Sequence, residues 1–188
     1  MKVVLGVTGC IAAYKSAEIL RLLQKKNVEV FPVMTRSAGN FIGPVTLEKL
    51  SGHKVIMVTF DDRDTSIEHI SLARGTDLLL VAPATANSIA KFACGISDDF
   101  LSTLYVSTTT PVVLAPAMNK EMWRHQATRE NIQRLKQRGV EIIQPESGHL
   151  ASGEFGEGRL ADPKTIAKVV ESMLKPLSLI HISEPTRP

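Results

Sequence analysis

The sequence predicts an α/β chain, a three-layer arrangement with helices on both faces of one doubly wound parallel sheet. Three observations predict it. Apolar runs too continuous for half-exposed strands recur along the chain, as in VVLGVT (3–8), DLLLVAPA (77–84) and PVVLAPA (111–117). Such runs suit strands buried on both faces. Segments with helical apolar spacing stand between them, and alternation of this kind calls for right-handed crossovers between parallel strands.

The elements follow in order. After the first strand comes IAAYKSAEILRLLQKK (11–26), whose Ala13, Ala17, Leu20 and Leu23 fall on one helical face. VEVFPVMT (28–35) is the second strand, and Pro32 within it predicts an irregularity or a place near the sheet edge. A helix over 37–50 leads to a short strand, KVIMV (54–58), and IEHISLAR (67–74) is an amphipathic helical turn. TANSIAKFACG (85–95) is a helix stopped by Gly95, and DDFLSTLYVST (98–108) is one that starts on acids. TRENIQRLKQRG (128–139) is a helix ending at Gly139, VEIIQP (140–145) the last clear strand, and DPKTIAKVVESMLK (162–175) a helix with Pro163 in its first turn.

The chain has 188 residues, with 44% hydrophobic and 22% charged residues and a net charge of +3. That suits one globular domain, here 1–175. There is no basic stripe with interleaved aromatics, so nucleic acid is a poor partner. No apolar run is long enough for a membrane span, and MKVVLGVTG lacks the features of a signal peptide. Cys10 and Cys94 form no CxxC pattern, which points to a reduced, cytoplasmic protein with no zinc site. LSLIHISEPTRP (177–188) has no helical period and reads as adapter- or vector-derived sequence, so 176–188 is set aside as a non-native tail. The natural chain is then expected to continue past Lys175 into a second domain.

Two strands end in nearly the same phrase, APATAN (82–87) and APAMN (115–119). In doubly wound sheets the ligand sits outside the carboxyl ends of the strands. Both phrases therefore fall on the ligand rim, with small alanines for close approach and an amide at Asn87 and Asn119. The loop GVTGCIAAYKS places Gly6 and Gly9 in a tight turn and the amides of Gly9, Cys10 and Ile11 at a helix start, where an anion or polar cofactor edge is favoured. A dinucleotide fingerprint lacks its third glycine here. The second strand ends in Thr35, Arg36 and Ser37 instead of the acid that holds an NAD ribose. Arg36 with Ser37 suits the 2′-phosphate of NADP; the same hydroxyls suit FMN. Cys10 is either a small packing residue or, at a helix start, a thiol of lowered pKa.

Six motifs in order, GVTGCIAAYK, MTRSA, IEHISLAR, APATANSIAKFACGISDD, APAMNKEMW and GEFGEGRLADP, resemble those of the flavin-containing cysteine decarboxylases. The likeness is strongest to the bacterial phosphopantothenoylcysteine decarboxylases, which form the N-terminal half of a bifunctional coenzyme A biosynthesis protein whose other half is a phosphopantothenate–cysteine ligase. The likeness runs from Met1 to about Lys175. It implies a Rossmann- or flavodoxin-like flavoprotein that binds FMN between the subunits of a homotrimer, with assembly up to a homododecamer. It implies flavin contacts from Gly9, Cys10, Ile11, Thr35, Ser37, Thr85, Ala86, Asn87, Ser88 and Ala117. Asn119 matches the family's substrate-binding amide and His69 its active-site histidine; read alone, His69 is equally a cap or solvent-facing residue on its helical turn. The implied reaction moves a hydride from the cysteine moiety to flavin. The thioaldehyde so made accepts electrons as carbon dioxide leaves, and the ene-thiolate is then reduced to 4′-phosphopantetheine.

The glycine-rich stretch GHLASGEFGEGRLADP (148–163) reads as a mobile flap or a surface loop; in the family it is the clamp over the substrate, here with His149, Leu150, Ala151 and Arg159. His53, His125 and His149 carry no acid–base claim comparable to that of His69. The family's clamp reads Ala-Cys-Gly, and its cysteine donates the last proton. Here the triplet is Ala151, Ser152, Gly153, and a hydroxyl is far less acidic than a thiol. Three outcomes follow: Ser152 relays a proton, the reaction stops at the oxidised ene-thiol, or Cys94 substitutes from its helix. A flavin prenyltransferase shares the implied fold but lacks the PAMN phrase and this flap. A phosphatase-inhibiting flavoprotein and an NADP-dependent reductase using Arg36 complete the alternatives.

Overall fold

The computed structural model of the chain describes residues 1–57, 71–149, 151 and 153–174. His69, Leu150, Ser152 and the stretch 175–188 lie outside the described residues. Five parallel strands form the main sheet in the order β2-β1-β3-β4-β5: Lys2–Val7, Glu29–Met34, Leu78–Ala84, Val112–Pro116 and Glu141–Ile142, numbered β1 to β5 along the chain. The order reverses direction between β1 and β3, which makes the gap beyond their carboxyl ends the topological switch point.

The sheet is buried on both faces because its strands alternate between two cores. Val3, Leu5 and Val7 of β1 pack with Ile19, Leu20 and Leu23 of the helix Lys15–Gln24 and with Ile166 and Val170 of the helix Pro163–Leu174. Val4, Leu79 and Val81 face the other way, onto Ile89 and Phe92 of the helix Ala86–Cys94, Leu101 of Phe100–Ser107 and Leu135 of Gln126–Gln137. Each such side chain contributes about 1.5–3 kcal/mol by leaving water.

Several expectations are corrected. Gly6 is not part of the turn. It lies in β1, and a Cβ there would come within 2.7 Å of Leu101 Cδ1, so its missing side chain is space for the second core. The helix expected over 11–26 begins as a 3-10 turn, Ile11–Tyr14, and its buried face adds Ser16 and Ile19, with Ala17 half-buried against the same core. The helix expected over 37–50 divides into a 3-10 turn, Arg36–Asn40, and Pro44–Ser51, because Gly43 is extended and Pro44 opens a new first turn. Among its described residues the strand KVIMV makes one parallel bridge, Val33 to Ile56, while the neighbouring Val55 amide, on the side away from β2, donates to Glu48 Oε1 at 3.1 Å. Among the described residues β2 is thus the edge strand but for that rung, as Pro32 suggested.

The glycine-rich flap is not a structureless loop. Glu146–His149 and Phe155–Arg159 pair antiparallel as a second, two-stranded sheet, β6 and β7. It is fastened to the end of β4, since the Met118 amide donates to the Gly158 carbonyl at 2.9 Å. Gly158 has φ +128°, and a Cβ on it would collide with the Met118 carbonyl, so the contact requires glycine.

Candidate functional site

The two rim phrases are joined at the switch point. The Ala117 amide donates to the Ala84 carbonyl at 3.1 Å. The ladder between β3 and β4 shifts register between Val81 and Ala84, and hydroxyls from the β1 side take the carbonyls there. Ser16 Oγ donates to Ala82 O at 2.9 Å, and Thr8 Oγ1 donates to Pro83 O at 2.8 Å. Thr8 Oγ1 also accepts from the Thr85 amide at 3.0 Å. Thr8 is 1% exposed, and nothing in the sequence singles it out, because its partners are remote in the chain.

Two cavities open at this rim. The larger, about 940 Å³, runs from Gly9 past Thr35 and Ser37 to Thr85, Ala86, Asn87 and Ser88. All the expected cofactor residues line it except Ile11. Gly9 is held tight: a Cβ would lie 2.5 Å from Ser37 Oγ and 2.7 Å from the Ser37 carbonyl carbon. Thr35 Oγ1 and Ser37 Oγ stand 3.1 Å apart. Thr85 caps the helix Ala86–Cys94 by accepting from the Ser88 amide at 3.4 Å, which turns the first helical turn toward the cavity. Arg36 also lines it, as the NADP alternative required.

Sequence reasoning missed the charge cluster on this wall. Lys91 Nζ lies 2.6 Å from Asp98 and 2.8 Å from Asp99. Burial works against the Lys91 charge, yet its bonds to both acids hold its pKa above the ordinary lysine range. Burial likewise opposes the Asp99 charge, but Lys91 and the amide and hydroxyl of Ser102 hold that carboxyl below the ordinary range. Only the acidic helix start was legible: Asp99 caps Phe100–Ser107 in a reciprocal capping box with Ser102.

The smaller cavity, about 390 Å³, is lined by Asn119, His149, Ala151 and Arg159, the expected substrate residues that are described. Lys15 joins them, and among the described residues no acid does. Ile11 belongs here, not with the cofactor residues, because the 3-10 turn Ile11–Tyr14 carries it to this side. Asn119 caps the short helix Lys120–Arg124, its Oδ1 accepting from the Glu121 amide at 2.8 Å, which leaves the side-chain NH₂ as donor. Lys120 Nζ lies 3.2 Å from Glu154, tying the flap to that helix.

The cavities share a wall of Cys10, Ala117 and Met118. Burial pushes the Cys10 thiol above its ordinary pKa, against weaker opposition from the Ala12 and Ala13 amides, so the lowered pKa of a helix-start thiol is not found. Cys94 is exposed and lines neither cavity, which removes it as a stand-in for the clamp cysteine. His53 pairs with Glu29 at 3.2 Å, and His125 caps a helix by accepting from the Ala127 amide at 3.2 Å. No cluster of three or more metal-ligating side chains occurs among the described residues, and no described helix is long and apolar enough to cross a membrane.

Comparison with known proteins places this rim in a family, because the model of the family described as Flavoprotein matches residues 1–175. The chain belongs to the Flavoprotein family. Similar to it are coenzyme A biosynthesis bifunctional proteins CoaBC: that of Vibrio vulnificus strain YJ016 is 42% identical over 99% of this chain and 48% of its own length. That of Bacillus subtilis strain 168 is 45% identical over 90% of this chain and 42% of its own. This flavoprotein chain thus spans about half the length of the curated relatives it matches. Among solved structures, a PPC decarboxylase mutant complexed with pantothenoylaminoethenethiol is similar with a TM-score of 0.83 and 29% identity, over 91% of this chain and 96% of the other. The FMN-dependent cysteine decarboxylase SpaF is similar with a TM-score of 0.80 and 29% identity, over 93% and 98%.

Proposed function

We propose that this chain is an FMN-dependent carboxy-lyase that decarboxylates 4′-phospho-N-pantothenoyl-L-cysteine to 4′-phosphopantetheine in coenzyme A biosynthesis, with 1–175 as its domain. One observation carries the reading: a polar cavity and a cationic cavity meet across a wall of three small or flexible side chains, Cys10, Ala117 and Met118. The residues of the larger cavity fit FMN. Gly9, Ala86 and Ala117 leave room for a flat ring, the hydroxyls of Thr35, Ser37, Thr85 and Ser88 suit a ribityl chain, and Arg36 with the amides after Thr85 suits a phosphate. The smaller cavity offers Lys15 and Arg159 to a substrate with two anionic groups.

When bound, FMN supplies a two-electron sink that is refilled within the same turnover. Asn119 grips the substrate carboxylate through its NH₂ and adds no full countercharge that would overstabilise the group before it leaves. Arg159, on the flap, brings positive charge and excludes water when the flap is in place. His69 moves protons near neutral pH, and Ser152 occupies the family's cysteine position. That exchange supports a second reading in which turnover stops at the ene-thiol. The assembly is a trimer-based homo-oligomer, up to a dodecamer; the 60% exposure of Ile11 and Tyr14 and 66% of Phe155 supports burial of this rim by another subunit. A phosphopantothenate–cysteine ligase follows in the full-length chain, and the reaction is cytoplasmic.

The test uses the purified chain with added FMN and substrate. Flavin absorbance that stays with the protein, carbon dioxide release and a product mass equal to 4′-phosphopantetheine are expected. A product two hydrogens lighter selects the second reading, and a protein that takes up no FMN removes both. Light scattering after gel filtration checks the trimer.

A further inference from the structure

A third cavity, about 690 Å³, shares no described lining residue with the two rim cavities and has no part in the proposed reaction. Trp123 and Arg124 enter it from the helix Lys120–Arg124. Arg129, Gln133 and Lys136 enter it from Gln126–Gln137, and Gln144 from the segment after β5. Arg129, Ile132, Gln133 and Lys136 are spaced as one stripe on that helix. Ile132 is buried in the second core, which fixes the stripe at the seam, and Trp123 packs against the same core.

The three cations at this cavity, Arg124, Arg129 and Lys136, carry no ion pair among the described residues. Among the described residues the single carboxylate in the lining is Glu157. At the larger rim cavity, by contrast, Lys91 is paired with two acids. Three cations against one carboxylate leave the described lining net positive, which raises the local potential and favours an anion of more than one charge. A partly exposed indole offers a stacking platform for a planar ring, and stacking of a base on an aromatic contributes about 1–3 kcal/mol. Two glutamine amides supply the donor and acceptor pairs that read the edge of such a ring. The volume falls within the range of small-molecule sites.

We propose that this cavity binds a nucleoside polyphosphate: the base on Trp123 within reach of Gln133 and Gln144, the phosphates held by Arg124, Arg129 and Lys136. The site stands independently of the decarboxylase reading, since it shares no residue with the two rim cavities.

The chain contains one tryptophan, so indole fluorescence reports on this cavity alone. ADP, adenosine and inorganic pyrophosphate are titrated into the purified full chain at matched ionic strength. ADP should give a saturable change in fluorescence, with pyrophosphate and adenosine each binding more weakly. The double substitution Arg129→Gln and Lys136→Gln should weaken ADP binding at least about tenfold while FMN uptake is unchanged, which shows the variant is folded. Arg129→Lys with Lys136→Arg should retain binding. A response that does not saturate, ADP binding unaltered in the glutamine variant, or pyrophosphate binding as tightly as ADP would each overturn the proposal.

Discussion

Thr8→Val tests the joint between β1 and β3 that shapes the cofactor rim. Valine has nearly the shape of threonine, so the substitution removes one hydroxyl and little else. The Pro83 carbonyl keeps a longer bond from the Thr8 amide at 3.3 Å, whereas the Thr85 amide loses the acceptor it has at 3.0 Å. Leaving the partly buried Thr85 amide without its acceptor costs up to about 1–3 kcal/mol and the weakened carbonyl bond less, so about 2–3 kcal/mol at most is expected. For a chain of this size that is a fall in Tm of about 4–12 °C. Thr8→Ser is the control: it keeps both hydrogen bonds and loses a methyl, at about 1 kcal/mol. Urea unfolding of the three proteins gives the order wild type, Ser, Val. FMN affinity, measured by flavin fluorescence quenching, should follow it, because Thr85 sets the first turn of the helix that faces the cavity. If Val proves as stable as Ser and binds flavin equally, the hydroxyl is not what holds the rim.

Gly158→Ala forces the flap off the Met118 carbonyl, so the KM for substrate should rise at least about tenfold while FMN affinity stays within twofold; parallel steady-state and flavin titrations check it. Asn119→Asp keeps the cap to the Glu121 amide but sets a carboxylate against a carboxylate, so substrate turnover should be lost with no fall in Tm, whereas Asn119→Ala should lose about 1 kcal/mol as well. Asp99→Asn keeps the helix cap and removes one of the two charge partners of Lys91, leaving Asp98, at a cost of about 1 kcal/mol at neutral pH. Because the folded Asp99 carboxyl titrates below its ordinary 3.8, its contribution is complete above that value and is lost as pH falls through the folded pKa. The gap between wild type and Asp99→Asn in urea melts should therefore close on acidification.

The strands β1, β3 and β4 were legible because burial on both faces writes itself as a continuous apolar run. The rim was legible for a related reason: strands that end in Pro and Ala followed by an amide can only place that amide beyond the sheet edge. What failed to show was long-range. Thr8 reads as the last residue of a strand until Pro83 and Thr85 are brought beside it. Lys91 reads as one exposed helical lysine until the left-handed turn at Gly95 returns the chain and sets Asp98 and Asp99 against it. KVIMV has strand residues, yet among those described one residue, Ile56, bridges to β2, while Glu48 in the preceding helix holds the Val55 amide. The flap hid its pairing because glycine has low strand propensity. Its order comes from outside the hairpin, from the Met118 amide bond and from Lys120, whose side chain lies against Gly156 and reaches Glu154.

Charge divides the two rim cavities in a way that suits their proposed occupants. On the larger, Lys91 is matched by two acids, which leaves Arg36 as its cation without an ion pair among the described residues, enough for a single phosphate. On the smaller, Lys15 and Arg159 face no acid among the described residues, which suits a molecule carrying a phosphate and a carboxylate. The wall between them must then pass electrons without holding charge. Ala117 and Met118 are apolar, and the raised pKa keeps Cys10 a neutral thiol at neutral pH. A thiolate there would repel the negative charge that grows on the substrate as its carboxylate departs. The same burial that makes Cys10 a poor nucleophile therefore makes it a suitable floor between ring and substrate.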